Sequence, residues 1–132
     1  MALIVQKYGG TSMGSPERIR NVAKRVSRWK AQGHQIVVVV SAMSGETNRL
    51  VALAHEVSPQ PDLREMDAML ATGEQVSIAL LAMALRDLGL KAKSYTGGQV
   101  KVLTDSAFSK ARILDIDDSN IRQDLNNDTV VI

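Results

Sequence analysis

Ala2-Leu3-Ile4-Val5-Gln6-Lys7-Tyr8-Gly9-Gly10-Thr11-Ser12 opens the chain with a short apolar run that turns abruptly polar. The run predicts a first β-strand over about Leu3 to Tyr8. A lysine at the carboxyl end of a strand, then two glycines and two hydroxyls, suits an anion such as phosphate. Glycines let backbone N–H groups come close to the anion, and the lysine adds a mobile point charge. Ser15 can cap a helix whose first residue is Pro16, so the loop lies near a helix N-terminus. The plainer alternative is a strand-to-helix turn that needs glycine. This is not a Walker A loop: Gly9 and Gly14 have its glycine spacing, but Ser15 and Pro16 stand where Lys and Ser/Thr are required. The dinucleotide pattern Gly-x-Gly-x-x-Gly is absent.

Further along, Gly33 closes the first helix and Gln35 to Val40 predicts a second strand. Its run Ile36-Val37-Val38-Val39-Val40 is apolar without alternation, as in a parallel strand covered on both faces. Strand, helix and buried strand make a right-handed βαβ unit. The loop 41–48 that follows is rich in small polar residues, Ser41, Ser44, Gly45 and Thr47 among them. Both loops leave the carboxyl ends of strands, where open α/β sheets bind ligands. One supplies a lysine and glycine amides, the other hydroxyls, which suits a phosphate donor beside a small polar acceptor.

The remainder predicts a helix through Leu50 and Val57, a break at Pro59 and Pro61, and a helical region from Leu63 to Leu88. Gly73 interrupts that region, with Gly73-Glu74 starting a second helix. Ala92 to Thr96 predicts a strand, Gly97-Gly98 a turn, Gln99 to Leu103 and Ala111 to Ile116 strands, and Asp117 to Asn127 a short helix. Thr129 to Ile132 begins another buried strand. Glu74 stands among apolar residues, either as a site residue or as an acid favoured at a helix N-terminus.

Composition narrows the chemistry. The 132 residues are enough for one domain with a core. With no cysteine, disulfides, thiolate zinc sites and cysteine nucleophiles are excluded. His34 and His55 lack metal-ligand spacing, no Ser/His/Asp set is present, and no bound metal is expected. Apolar stretches too short for a bilayer and an N-terminus without signal-peptide character point to a cytoplasmic protein with no membrane partner. The first helix carries Arg18, Arg20, Lys24, Arg25, Arg28 and Lys30 against Glu17, leaving ten basic and thirteen acidic residues elsewhere. Ile19, Val22, Ala23 and Val26 form a core stripe on that helix, so the charges occupy a solvated face and nucleic-acid binding is not expected.

Taken together, Lys7-Tyr8-Gly9-Gly10-Thr11-Ser12, Val39-Val40-Ser41-Ala42-Met43 and Thr72-Gly73-Glu74 closely resemble the aspartokinase family, with support from Ser94-Tyr95-Thr96-Gly97 and Leu103-Thr104-Asp105. The resemblance runs from Met1 to Ile132. It implies the amino acid kinase (carbamate kinase-like) fold, a three-layer α/β/α sandwich with a largely parallel sheet, here reduced to its N-terminal, aspartate-side half. Residues 1–132 would lack the nucleotide-binding half and the regulatory modules. The resemblance implies transfer of the γ-phosphoryl group of ATP, with Mg2+, to the side-chain carboxylate of L-aspartate. The product, 4-phospho-L-aspartate, leads to lysine, threonine, methionine and diaminopimelate. It gives Lys7 the catalytic contact with the transferring phosphoryl group. Tyr8, Gly9, Gly10 and Ser41 would lie at the ATP phosphates, and Thr47 and Glu74 at the aspartate, with Glu74 meeting its ammonium. A homo-oligomer is expected, and these residues alone are expected to be inactive. Two alternatives stand beside this: a non-catalytic, self-associating α/β fragment, and a family member acting on another acceptor.

Overall fold

The computed structural model describes residues 1–132. In chain order the elements are β1 (Leu3–Tyr8), α1 (Pro16–Ala31), β2 (Gln35–Val40), α2 (Glu46–Val57), α3 (Leu63–Asp87), β3 (Lys91–Lys93), α4 (Gly97–Val100), β4 (Val102–Thr104), β5 (Ile113–Ile116), α5 (Ser119–Asn126) and β6 (Thr129–Val131). Four strands form a parallel sheet in the order β1-β2-β6-β3, while β4 and β5 pair as a separate antiparallel ribbon. The first βαβ unit is as expected, down to its ends. Ser15 Oγ accepts the Arg18 N–H at 3.2 Å, and Pro16 opens the helix. Gly33 follows the last turn at φ +87°, a left-handed conformation that glycine adopts without a Cβ penalty.

Alternation along the strands shows which face meets which helix. Ile36, Val38 and Val40 of β2, with Val130 and Ile132 at β6, pack into one core with Ile19, Val22 and Val26 of α1 and Leu81 and Leu85 of α3. Val131 turns the other way and is buried on the face where α5 lies against β6. The chain thus crosses on one face from β1 through β2 to β3, then returns on the other face to insert β6. Right-handed crossovers running in opposite directions give this result. The layers are helix, sheet and helix, but the α5 layer is short. Val37, in register with Val131, is half-buried, and Val39 remains 47% exposed. The valine run of β2 is therefore covered fully on one face only, which corrects the reading of its lack of alternation.

The helical region 63–87 is one continuous α3, not two helices. Gly73 is buried within it, where a Cβ would lie 3.0 Å from the Ala42 Cβ. The glycine marks a close approach and not a boundary. Asp62 caps the helix, its carboxylate accepting the Glu65 N–H at 3.0 Å. The expectation about bilayer length also needs amending. By length and composition α3 could cross a membrane, with a mean hydropathy of 1.5 in its most apolar window. Glu74 is the only charge between Ala68 and Leu85, which raises the average without one long apolar run. Here α3 packs against α1, α2 and β3, with Ser77, Leu81 and Leu85 fully buried.

Downstream elements are shorter than expected. β3 ends at Lys93, and Gly97-Gly98 begins a four-residue helix instead of forming a hairpin turn. Thr96 and Gln99 make a reciprocal capping box, which wins over the turn tendency of the two glycines. β4 accordingly starts at Val102, after Lys101 has closed that helix in a left-handed conformation at φ 63°.

Candidate active site

The parallel register places Lys7 opposite Val39 and Tyr8 opposite Val40. The Ser41 N–H extends the ladder, donating to the Tyr8 carbonyl at 3.1 Å. The two polar loops therefore leave the sheet side by side. They also touch: a Cβ on Gly10 would lie 3.1 Å from the Ala42 carbonyl oxygen, so Gly10 is needed for close backbone approach. Gly9 is different. Its φ is not positive and a Cβ there would meet nothing within 4 Å, so the turn itself does not require glycine at that position.

The first loop is held firmly from below. Met13 is fully buried, and its N–H donates to the carbonyls of Gly9 and Gly10, each at 3.2 Å. The Arg18 guanidinium donates to the Thr11 carbonyl at 2.8 Å. The N–H groups of Gly9, Gly10, Thr11 and Ser12 make no hydrogen bond within the fold. Consecutive free donors on a pinned loop form an anion-binding concavity. Lys7 stands at its entrance, exposed and without an acidic partner among the ion pairs. Because adjacent residues of a strand face opposite ways, Tyr8 turns its side chain to the α1 face. Its hydroxyl donates to Gln6 Oε1 at 2.9 Å. Burial raises the Tyr8 pKa, opposed by the nearby Arg25 and Arg28 charges. What Tyr8 offers the loop is backbone, not its ring.

The third component comes from α3. Gly73 seats the helix against Ala42, with Glu46 Cγ 3.5 Å from its Cβ position. This close packing carries Glu74 to a cavity of about 530 Å³ at the sheet's carboxyl side. Val39, Glu74, Ile78, Tyr95, Thr96 and Gly97 line it, and Glu74 is its only charged residue. The cavity lies where the connections after β2 and β3 depart to opposite faces, the place where open sheets bind ligands. Ser41 is half-buried with an unengaged hydroxyl, and Thr47, on the first turn of α2, is exposed and equally free. Glu46 is already engaged. Arg49 grips it at 2.6 and 3.0 Å and lowers its pKa through that hydrogen bond. Sequence reasoning did not place Tyr95, Thr96 and Gly97 at the site. The signal was available, since they follow the carboxyl end of a third parallel strand.

A family model described as "Amino acid kinase family" matches residues 2–132. This chain belongs to the amino acid kinase family. The aspartokinase of Pseudomonas aeruginosa is 61% identical over 132 residues, all of this chain and 32% of that protein. The chain thus spans about a third of the length of the curated relatives it matches. Among solved structures, the aspartate kinase from Synechocystis superposes with a TM-score of 0.81 at 46% identity, covering 98% of this chain and 21% of that one. E. coli aspartokinase III in complex with aspartate and ADP gives 0.81 at 20% identity, covering 99% and 40%. Carbamate kinase from Giardia lamblia gives 0.65 at 12%, covering 98% and 54%. At those last two identities the likeness concerns the fold, and it agrees with the amino acid kinase architecture inferred from the motifs.

Proposed function

We propose that this chain forms the aspartate-side part of an aspartate kinase, which transfers the γ-phosphoryl group of MgATP to the side-chain carboxylate of L-aspartate. The observation that carries the reading is a division of charge. Lys7 and the free amides of residues 9–12 offer only positive character, while the adjoining cavity presents one charge, the carboxylate of Glu74. A phosphoryl donor fits the first, and the ammonium of an amino acid fits the second. Ser41, the first residue of the second loop, would meet phosphate oxygens, and Thr47 is free to hydrogen-bond the acceptor. Tyr8 and Gly9 would contribute main chain at the phosphates, and Gly10 the close approach between loops. Phosphoryl transfer asks for positioning and charge stabilisation. A carboxylate acceptor is ionised at neutral pH, so no general base is called for.

The similarity to aspartokinases at 61% identity supports aspartate over other acceptors. Residues 1–132 supply the acceptor side, and the in-line arrangement with nucleotide requires further chain. A cytoplasmic homo-oligomer acting in amino-acid biosynthesis completes the reading. The test is phosphorylation of L-aspartate by a full-length protein carrying this sequence, with hydroxylamine trapping of the acyl phosphate. Absence of hydroxamate with aspartate, or its formation with another amino acid instead, overturns it. A second reading, a self-associating fragment, is favoured by β1. That strand is a sheet edge with Leu3 and Val5 49% and 63% exposed. Sedimentation of the 132-residue chain distinguishes it, since concentration-dependent dimers would favour association.

A further inference from the structure

Tyr95 lines the cavity, and two charged side chains that do not line it, Lys93 and Asp124, close on Tyr95 from behind. The Tyr95 hydroxyl donates to the Asp124 carboxylate of α5. The Lys93 ammonium stands 3.5 Å from the same carboxylate and 5.1 Å from the centroid of the Tyr95 ring. The Tyr95 N–H donates to the Ile132 carbonyl at 2.8 Å. Tyr95 is thereby tied to both β6 and α5. Its own pKa is raised, chiefly by burial, so the phenol stays a neutral donor through the physiological range.

What Tyr95 holds is the rim. Thr96 and Gln99 bond reciprocally, at 3.0 and 3.3 Å, which ties residues 96–99 into one capped turn that follows directly on Tyr95. Gly97 and Gly98 bring no side chain, and a Cβ at either would meet nothing within 4 Å, so packing does little to place them. The rim's position therefore depends on the bonds made by Tyr95. Apolar contact would serve equally to attach α5 to the sheet, whereas a hydroxyl–carboxylate bond is directional and sets position.

We propose that Asp124 and Lys93 act through Tyr95 as positioning residues, fixing the Thr96–Gly97 wall opposite Glu74 and so setting the length of amino acid that the cavity accepts. The inference rests on the aspartate-binding reading given above. One methylene separates L-aspartate from L-glutamate, and a wall held in place is what discriminates them; such a difference is worth roughly 10–200-fold.

The test uses Tyr95→Phe, Asp124→Ala and their combination in a full-length protein carrying this sequence. Each single variant should raise KM for L-aspartate about tenfold, the effect of one lost hydrogen bond. KM for ATP should stay unchanged, kcat should fall less than about threefold, and preference over L-glutamate should narrow. The double variant should be no worse than the worse single one, because both break one linkage. Lys93→Arg should behave as wild type and Lys93→Met as an intermediate. Amide exchange at residues 96–100 should quicken in the variants while β1 and β2 stay protected. A lower thermal midpoint with an unaltered KM for aspartate would make the cluster purely structural and overturn the proposal. If the wild type does not use aspartate at all, the functional reading fails separately, and unchanged exchange at 96–100 in Tyr95→Phe then overturns the positioning role on its own.

Discussion

Lys7 and Val39 are register partners in the parallel β1–β2 ladder, so their side chains leave the same face of the sheet. Val39 lines the cavity that holds Glu74. The backbone of Lys7 lies one strand spacing, about 4.8 Å, from that of Val39. The cation thus stands on the strand beside the one that lines the anion's cavity, an arrangement that suits a zwitterion receiving a phosphoryl group.

Replacing Lys7 should therefore act on turnover. In a full-length protein, Lys7→Ala is expected to lower kcat by roughly 10²–10³, the cost of losing one preorganised donor to a developing charge. KM for aspartate should change less. Lys7→Arg should restore only part, since the planar guanidinium aims its donors differently. The side chain is exposed and unpaired, so the thermal midpoint should hold. Turnover within about twofold of wild type would remove Lys7 from the mechanism.

Glu74→Gln should act on the acceptor instead. The group is exposed and is the cavity's only charge, so the substitution removes one charge-assisted hydrogen bond to the substrate ammonium, worth about 1.5–3 kcal/mol. Steady-state kinetics should show a large rise in KM for aspartate with KM for ATP near normal. The reverse pattern would assign Glu74 to the nucleotide.

Packing at Gly73 yields a stability prediction. Gly73→Ala improves helix propensity by about 1 kcal/mol, but its methyl would meet Ala42 Cβ at 3.0 Å, and overpacking costs about 1–3 kcal/mol. A net loss is expected in urea denaturation. Ala42→Gly should relieve it, giving a favourable coupling of about 1 kcal/mol in the double-mutant cycle. Additive losses would show that the two positions do not compete for space.

The ion pair between Lys30 and Asp128, at 2.5 Å, gives a pH signature. The hydrogen bond from Lys30 holds the Asp128 pKa below its ordinary value. A depressed folded-state pKa adds stability above the unfolded value of about 3.9, and that stability is lost as pH falls through the folded value. Asp128 is 78% exposed, which limits the effect to about 0.2–1 kcal/mol after screening. Asp128→Asn keeps a residue tolerant of the left-handed φ of 63°. Its urea midpoint should sit below wild type at pH 7 and match it at pH 2. A gap that persists at pH 2 would point to the turn and not the charge.

Much of this was legible in the residues themselves. The strand ends at Tyr8 and Val40, the Ser15 cap, the Pro16 start and the Gly33 stop depend on neighbours a few positions away. Local sterics and hydrogen bonding therefore determine them. The pairing of a lysine–glycine loop with a hydroxyl loop followed from two adjacent parallel strands, and it needed no coordinates. Tertiary structure decided the rest. Gly73 looks like a helix break in the chain because its reason, the Cβ of Ala42, belongs to a distant loop. Gly97-Gly98 looks like a turn until Thr96 and Gln99 cap a helix around it. The insertion of β6 between β2 and β3 places Val131 beside Val37, brings α5 to the second face and aims Asp124 at Tyr95. Pattern along a chain encodes which residues can share a face. Which elements meet across that face depends on strand order and crossover direction, and these emerge only when the chain packs against itself.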